Sequence, residues 1–312
     1  MRRSELLIKQ VRRATENEEF SNQTGIVDEE ILQYLNDAQD GIYSIIQSQF
    51  PSMFIKEKET DVNAQTESVS LPADVYNESR LSKVEFSKSG QARDYYKLDS
   101  GFTDERLNGN AATPDFYIRR GREILLQPKS QSTGKVRFEY QRNLQRMDKR
   151  RGKVSAVTLD PVTLTITSLT IDTSTITNED IEEIQNLEFG CIVNRLGVIQ
   201  MARLPIESID INSGVVSFFS GFTYESTETI TVGDYLVGGY YSSSHSELPD
   251  TCERFLISYS QKRVLSRDSS NDAGDAKSDM EEMRADIISA FAQPSGDINE
   301  VPVTDYDYLD FY

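Results

Sequence analysis

Apolar side chains recur at steps of 4, 3, 4 and 3 from Ile31 through Leu35, Ala38 and Ile42 to Ile45. That spacing predicts an amphipathic helix over residues 28–50 with one face to bury. Asp28 stands where an N-cap is expected, and Glu29 and Glu30 fall in the first turn, where the helix dipole favours acids. Pro51 ends the helix because it cannot donate the next backbone bond. A partner for this face is found only at the far end of the chain. Residues 250–267 predict a helix capped by Asp250, with Cys252, Phe255, Leu256, Tyr259 and Val264 available to a core. After a turn at 268–272, Ala273, Ala276, Met280, Met283, Ile287 and Ala290 step by 3, 4, 3, 4 and 3 and predict another helix. A short helix over 4–13, capped by Ser4, adds Leu7 and Val11. The two ends of the chain are expected to form one helical core, with everything between threaded out of it.

Between the ends the helical period gives way to alternation. Residues 81–86 (LSKVEF) read as a half-buried strand, and shorter strands are expected before Pro72 and around Tyr95, Tyr96 and Leu98. Residues 115–120 and 123–127 flank Arg120-Gly121-Arg122, a hairpin signal, and 134–140 give another strand. Together these predict a small antiparallel sheet of four or five strands. Thr then fills 7 of the 15 positions from 163 to 177, which favours extended structure. One or two helical turns are read at 178–186. Strands are expected at 190–194, 197–202, 206–211, 215–219, 229–232 and 235–241, with hairpin turns at 212–214 and 232–234. Many short strands at close spacing indicate a small barrel or sandwich. The expected fold class is α+β, with a discontinuous core of residues 1–151 plus 244–293, an inserted β-rich domain at 152–243 and an extended arm at 294–312.

Charge divides the chain differently. The net charge is −18, yet residues 119–153 carry 12 Lys/Arg against 3 Asp/Glu, so they sum to +9 and the rest to −27. Such asymmetry suits two surfaces with different neighbours. Arg119, Arg120, Arg122, Arg146, Lys149, Arg150 and Arg151 are the candidates for a basic inter-subunit face. The bland reading is a strand-rich surface on which cations guard the edges. The last eight residues, DYDYLDFY, hold four aromatics and three acids. Tyr306, Tyr308, Leu309, Phe311 and Tyr312 are read as an arm that lies in the grooves of a neighbour, since water gives exposed aromatics no return.

No motif carries catalysis, a cofactor or a metal. His245 is the only imidazole and is expected as an exposed loop residue in a serine-rich linker. One His and two Cys cannot build a common zinc site, and Cys191 and Cys252 are expected as reduced thiols. Residues 268–275 (DSSNDAGD) lack the ligand spacing of a calcium loop and read as a helix-capping turn. Gly238-Gly239 lies in a strand pattern, where glycine marks a bulge or a close approach. No stretch nears the ~20 apolar residues that span a bilayer. The opening MRRSELLIKQVRR has only three apolar residues in a row. A soluble chain made in a cytoplasm, without a secretory signal, is expected.

The order of these pieces resembles the head-to-tail connector, or portal adaptor, proteins of tailed bacteriophages. Four stretches carry the resemblance: YLNDAQDGIYSIIQSQFP at 34–51; SLPADV at 70–75, followed by LSKVEF; TPDFYIRRGREILLQPKSQSTGKVRFEYQRN at 113–143; and ELPDTCERFLISYSQKRVLSRDSSNDA at 247–273. The β-rich block at 152–243 departs from the smallest connectors of this type. The resemblance implies a non-enzymatic virion protein of the neck. It would form a ring of identical subunits, twelve to match the portal protein, and present a surface to the next tail or nozzle protein. Double-stranded DNA would pass through without specific binding. It implies no cofactor and no membrane. The reading from a different class is a receptor- or carbohydrate-binding tail protein, with a sugar site among Phe218, Phe219, Phe222, Tyr224, Tyr235, Tyr240 and Tyr241.

Overall fold

The computed structural model describes residues 3–15, 26–72, 74–76, 81–101, 113–160, 166–174, 183–219, 225–226, 230–267 and 273–292. Among these, the helices are α1 (Ser4–Ala14), α2 (Asp28–Gln49), α3 (Glu253–Arg267) and α4 (Ala273–Phe291). Leu7, Val11, Ile31, Leu35, Ile42, Ile46, Leu256, Val264 and Ile287 bury into one cluster, so the two ends of the chain do share a core. The buried stripe of α2 is wider than the spacing of Ile31 to Ile42 predicts. It takes in Leu32, Tyr43 and Ile46, while Ile45 is only half-buried. The helix is covered on two sides, by α3 on one and by strand-forming chain on the other.

The caps expected at Asp28 and Ser4 are not caps. Val27 and Arg3 hold the N-cap positions of α2 and α1, and neither makes a side-chain cap bond. Asp28 Oδ1 instead accepts from Arg12 Nε at 2.8 Å and Nη2 at 2.6 Å. The Arg12 guanidinium is buried, and a buried cation needs a carboxylate more than a helix end needs a cap. Ser4 is spent similarly, its hydroxyl donating to Asp148 O at 2.7 Å. At the other end Pro249 holds the N-cap position of a 3-10 turn, Asp250–Cys252, that leads into α3.

The expected single sheet is two. One is ordered β1-β8-β3-β4, from β1 (Ile55–Val62), β3 (Leu81–Ser87), β4 (Tyr96–Lys97) and β8 (Gly134–Gln141). The other is ordered β2-β7-β6-β5, from β2 (Ser68–Ser70), β5 (Asp99–Ser100), β6 (Phe116–Arg120) and β7 (Glu123–Gln127). The pair β5–β6 is parallel and the rest are antiparallel. Val62, Val84, Phe86, Val136 and Phe138 of the first meet Val69, Ile124 and Leu126 of the second in one buried cluster. Two short sheets face to face bury more than one sheet could alone.

The chain then runs through β9 (Arg146–Met147) into β10 (Arg150–Leu159), β11 (Ile166–Asp172), β12 (Phe189–Val193), β13 (Ile199–Asp210), β14 (Val215–Phe218), β15 (Glu225–Ser226), β16 (Tyr235–Gly238) and β17 (Ser242–Ser243). The pairings run β12-β16-β10-β11-β14-β13, and β13 pairs back to β12. Six antiparallel strands therefore close into a barrel, with β15 attached to β13. Closure removes the free edges that a sheet this apolar would otherwise expose. Its interior holds Val154, Leu169, Ile171, Ile192, Leu204, Val216 and Leu236. The two strands expected at 197–202 and 206–211 are one, β13, running unbroken through Pro205. The expected strand at 229–232 is not formed by its described residues. Ile230 and Thr231 lead into a turn in which Asp234 Oδ2 accepts from Thr231 N at 2.8 Å. That turn is no hairpin, because β16 pairs with β10 and β12. Of residues 178–186, the described ones begin at 183 with a single helical turn.

The β13–β14 hairpin turns on Gly214, at φ +71, where an added Cβ would sit 2.3 Å from Ile171 O. Backbone cannot yield as a side-chain tip can. Gly214→Ala is expected to cost about 1–3 kcal/mol, read as a lower urea midpoint with unchanged slope.

Candidate assembly surfaces

Two straps join the helices to the barrel. One is β9, leading in, and the other is β17, leading out; they pair in parallel, Ser242 with Arg146 and Ser243 with Met147. The serine-rich stretch expected as an exposed linker is buried throughout residues 242–246, and His245 with it. It is buried because it lies between the helices and the barrel, and serines are small enough to pack there while bonding locally. Helix α2 holds the incoming strap with amides. Asn36 Nδ2 donates to Met147 O at 3.0 Å and Asn36 Oδ1 accepts from Met147 N at 2.7 Å. Gln39 Nε2 donates to Gln145 O at 2.8 Å, and Gln39 Oε1 accepts from the Ser246 hydroxyl at 2.9 Å. One glutamine thereby spans both straps.

Beside the straps lies an ion cluster. Arg151 is 7 % exposed and Lys149 9 %. Arg151 Nη2 meets Asp148 Oδ1 at 2.8 Å, and its Nη1 pairs with Glu183. Lys149 Nζ lies 2.5 Å from Glu29 Oε1 and 3.4 Å from Glu183 Oε2. Asp148 Oδ2 also accepts from Gly238 N of β16. The cluster ties the N-terminus of α2 to the barrel at two points. Burial works to lower the Arg151 pKa, but Asp148 and Glu183 outweigh it and the pKa is raised. Burial, helped by a hydrogen bond to Glu29, pushes Glu183 up to about 7 against Lys149 and Arg151. The bonds from Glu183 and Lys149 outweigh burial at Glu29 and lower it.

These geometries settle where the basic candidates stand. Lys149 and Arg151 cannot serve a basic face, because their charges are consumed inside the molecule. Arg146 is exposed and donates to Gln33 Oε1 at 3.0 Å. Arg150 stacks on Tyr235, its Cζ 4.0 Å from the ring centroid, and donates to Arg195 O at 2.8 Å. Arg119, Arg120 and Arg122 sit apart, around the Gly121 turn of the β6–β7 hairpin, where Arg119 Nε donates to Gly121 O at 3.2 Å. The seven candidates do not form one surface. The arm residues Tyr306, Tyr308, Leu309, Phe311 and Tyr312 lie outside the described residues. Among the aromatics proposed for a sugar site, Phe218 is buried, Tyr235 is covered by Arg150, and Phe222 and Tyr224 are outside the described residues.

A cleft of about 850 Å³ flanks the straps. Its charged lining is Asp40, Asp74 and Asp148 against Arg146, Arg151 and Arg203, so it selects neither anions nor cations. Burial raises the Asp40 pKa, and Arg146 opposes the rise. Burial pushes the Cys191 and Cys252 thiols up to about 11. Burial, with Arg150 and Arg3 nearby, pushes His245 down to about 4. At neutral pH both thiols are protonated and the imidazole is neutral. Among the described residues no three of His, Cys, Asp or Glu are grouped to hold a metal ion, and no helix is long and apolar enough to cross a membrane.

The model of the SU10 adaptor protein family matches residues 1–167, more than half of the chain, and the chain belongs to that family of phage adaptors, structural components of the virion. The match runs through α1, α2, both small sheets and the first barrel strand; it does not reach α3 and α4. No curated protein matches the chain.

Two measurements test the ion cluster. Arg151→Ala strands Asp148 and Glu183 in a buried site and is expected to cost about 3–5 kcal/mol in urea unfolding. Glu183, with its pKa raised, contributes stability that is present at acidic pH and lost as the pH rises through about 7. Glu183→Gln keeps a neutral partner at every pH. It should therefore gain on the natural protein between pH 5 and pH 8, by about 1 kcal/mol. An unchanged difference between the two pH values would reject the raised carboxyl.

Proposed function

We propose that the chain is a head-to-tail adaptor that forms a ring of identical subunits beneath the portal protein, twelve to match it. The ring presents a docking surface to the next tail or nozzle protein and lets double-stranded DNA pass without gripping it. The observation that carries this reading is the family match over residues 1–167. Residues 1–151 with 244–293 act as the connector core, and the barrel at 152–243 is a domain inserted into it. The pairing of β9 with β17 supports that division, since the segments before and after the barrel lie side by side.

Charge supports the conduit. The chain outside residues 119–153 sums to −27, and two cations within that run are buried in the ion cluster. An acidic bore repels phosphate and keeps DNA sliding. A ring whose bore is lined mainly by Lys and Arg would overturn this. Arg119, Arg120 and Arg122 are the basic contact offered to an acidic neighbour, and residues 294–312 are an arm that adds contact area.

Native mass and negative-stain microscopy of the protein, alone and with its portal, test the reading. A ring, or a monomer that becomes a ring on the portal, is the expected result; a species indifferent to the portal rejects it. Deleting residues 295–312 should leave unfolding unchanged within about 0.5 kcal/mol while weakening portal or subunit association about tenfold. Equal association would remove the arm.

A further inference from the structure

We propose that one corner of the barrel is the receptor for the acidic, aromatic segment 305–312 of a second copy of this chain. The inference rests on the assembly reading above and names the two surfaces that would meet. The corner is made by two turns that the barrel brings together. Val193 and Tyr235 are paired across β12 and β16, so the turn after β12 lies against the turn before β16. A Cβ on Gly233 would be 3.8 Å from Arg195 Nη2 and 3.8 Å from Lys153 Cε. Leu196, Val198 and Val232 stand out of these turns at 69 %, 53 % and 68 % exposure.

The rim is basic. Arg195, Lys153 and Arg3 are exposed, and Arg150 lies over Tyr235 with its Nη2 on Arg195 O. Among the described residues none of these four cations makes an ion pair. The acids nearby are Asp234 in the turn itself, buried and accepting from Thr231, Glu5, which accepts from Arg150 N at 3.2 Å, and Asp172, opposite Lys153 in the ladder. In a chain of net charge −18 this is an unusual place. Exposed apolar residues ringed by cations suit a ligand that is apolar and acidic by turns.

The chain itself contains such a ligand. Residues 293–312 hold five carboxylates and no Lys, Arg or His, and 305–312 alternate Asp with Tyr before Leu309, Asp310, Phe311 and Tyr312. In an extended segment Asp305 and Asp307 fall on one side with Leu309 and Phe311, and Tyr306, Tyr308 and Tyr312 on the other with Asp310, so both sides mix apolar and acidic groups. The assembly reading, in which each subunit offers two complementary surfaces, makes a second copy the donor. Helix α4 ends at Phe291, whose ring is 6.2 Å from that of Phe50, just past the end of α2. The corner neighbours the opposite end of α2, where Lys149 meets Glu29. A 22-residue helix separates the two by ~33 Å, and the 14 residues from Phe291 to Asp305 reach ~46 Å when extended, so the arm is long enough to leave its own subunit. Donor and acceptor at opposite poles make a heterologous contact that propagates from copy to copy.

The test uses a labelled synthetic peptide of residues 297–312 and full-length proteins. The peptide should bind a chain deleted for 297–312 and weaken as salt rises. Lys153→Glu with Arg195→Glu should weaken binding at least about tenfold. Leu196→Ser with Val232→Ser should also weaken it, and Lys88→Glu with Arg93→Glu, which make the same charge change elsewhere, should not. Equal binding to the reversed corner, or an equal loss with the control pair, overturns the proposal. Mixing tail-deleted chain with corner-reversed chain should give a dimer by native mass where each alone gives none. No dimer in the mixture rejects the contact between copies. The peptide assay contains no portal, so a wild-type chain that binds peptide but ignores portal would refute the adaptor ring alone. Conversely, a normal ring on the portal from the corner-reversed chain would refute this contact alone.

Discussion

The rest of the structure depends on a set of polar groups that must all be satisfied at once where the straps cross α2. Asn36 and Gln39 offer amides, Met147 and Gln145 offer backbone, and Ser4 and Ser246 offer hydroxyls. Each bond is worth only about 1 kcal/mol net, but each unpaired buried group costs about 1–3. The crossing is therefore specified less by the bonds gained than by the penalty for any other arrangement. An apolar contact at the same place could slide. A pair of amides aimed at particular carbonyls cannot.

That constraint explains why α2 is both an apolar and a polar helix. Its Ile31, Leu35 and Ile42 face α1, α3 and α4, while Asn36, Gln39 and Tyr43 face the returning β chain. Tyr43 donates to Arg142 O and packs edge-on to Phe54 and Tyr76. Arg142 in turn holds Glu247 by two bonds of 2.8 Å, so the segment leaving the small sheets and the segment leaving the straps are clamped together. The ion cluster repeats the device with charge. Glu29 starts α2, Asp148 to Arg151 start β10, and Glu183 follows β11; three separate stretches converge on one buried site.

Most of the secondary structure was legible because period and punctuation act locally. The helix at 28–50, the hairpin around Gly121 and the strand at 81–86 all follow from spacing and turn residues. What was not legible depended on partners far along the chain. Asp28 reads as a cap until Arg12 is seen beside it, and residues 242–246 read as a linker because nothing local reveals what covers a serine. The basic run read as one face because sequence counts charges without showing which are buried. Lys149 and Arg151 fall beside Asp148, and that single acid was the local hint that some of the run is paired internally. The exposed corner did leave a signal. Leu196 is an apolar residue beside a turn glycine and outside every expected strand, whereas Val232 alternated with Ile230 in the expected strand at 229–232 and read as core.

Charge then decides what kind of contact such a molecule can make with its own copies. Like-signed subunits repel, and the Debye length of about 8 Å at physiological salt leaves that repulsion effective only at close approach. A localised cation rim can cancel it there. Exposed ion pairs contribute about 0–1 kcal/mol each, too little to hold a subunit alone. Apolar surface must supply most of the attraction, and charge the choice of partner and register. Internal pairing of Lys149 and Arg151 sharpens this division. It spends their charge on the fold and leaves fewer places where an acidic segment is welcome. The more completely the remaining surface is acidic, the more a small basic and apolar corner discriminates, because acidic surface repels the segment.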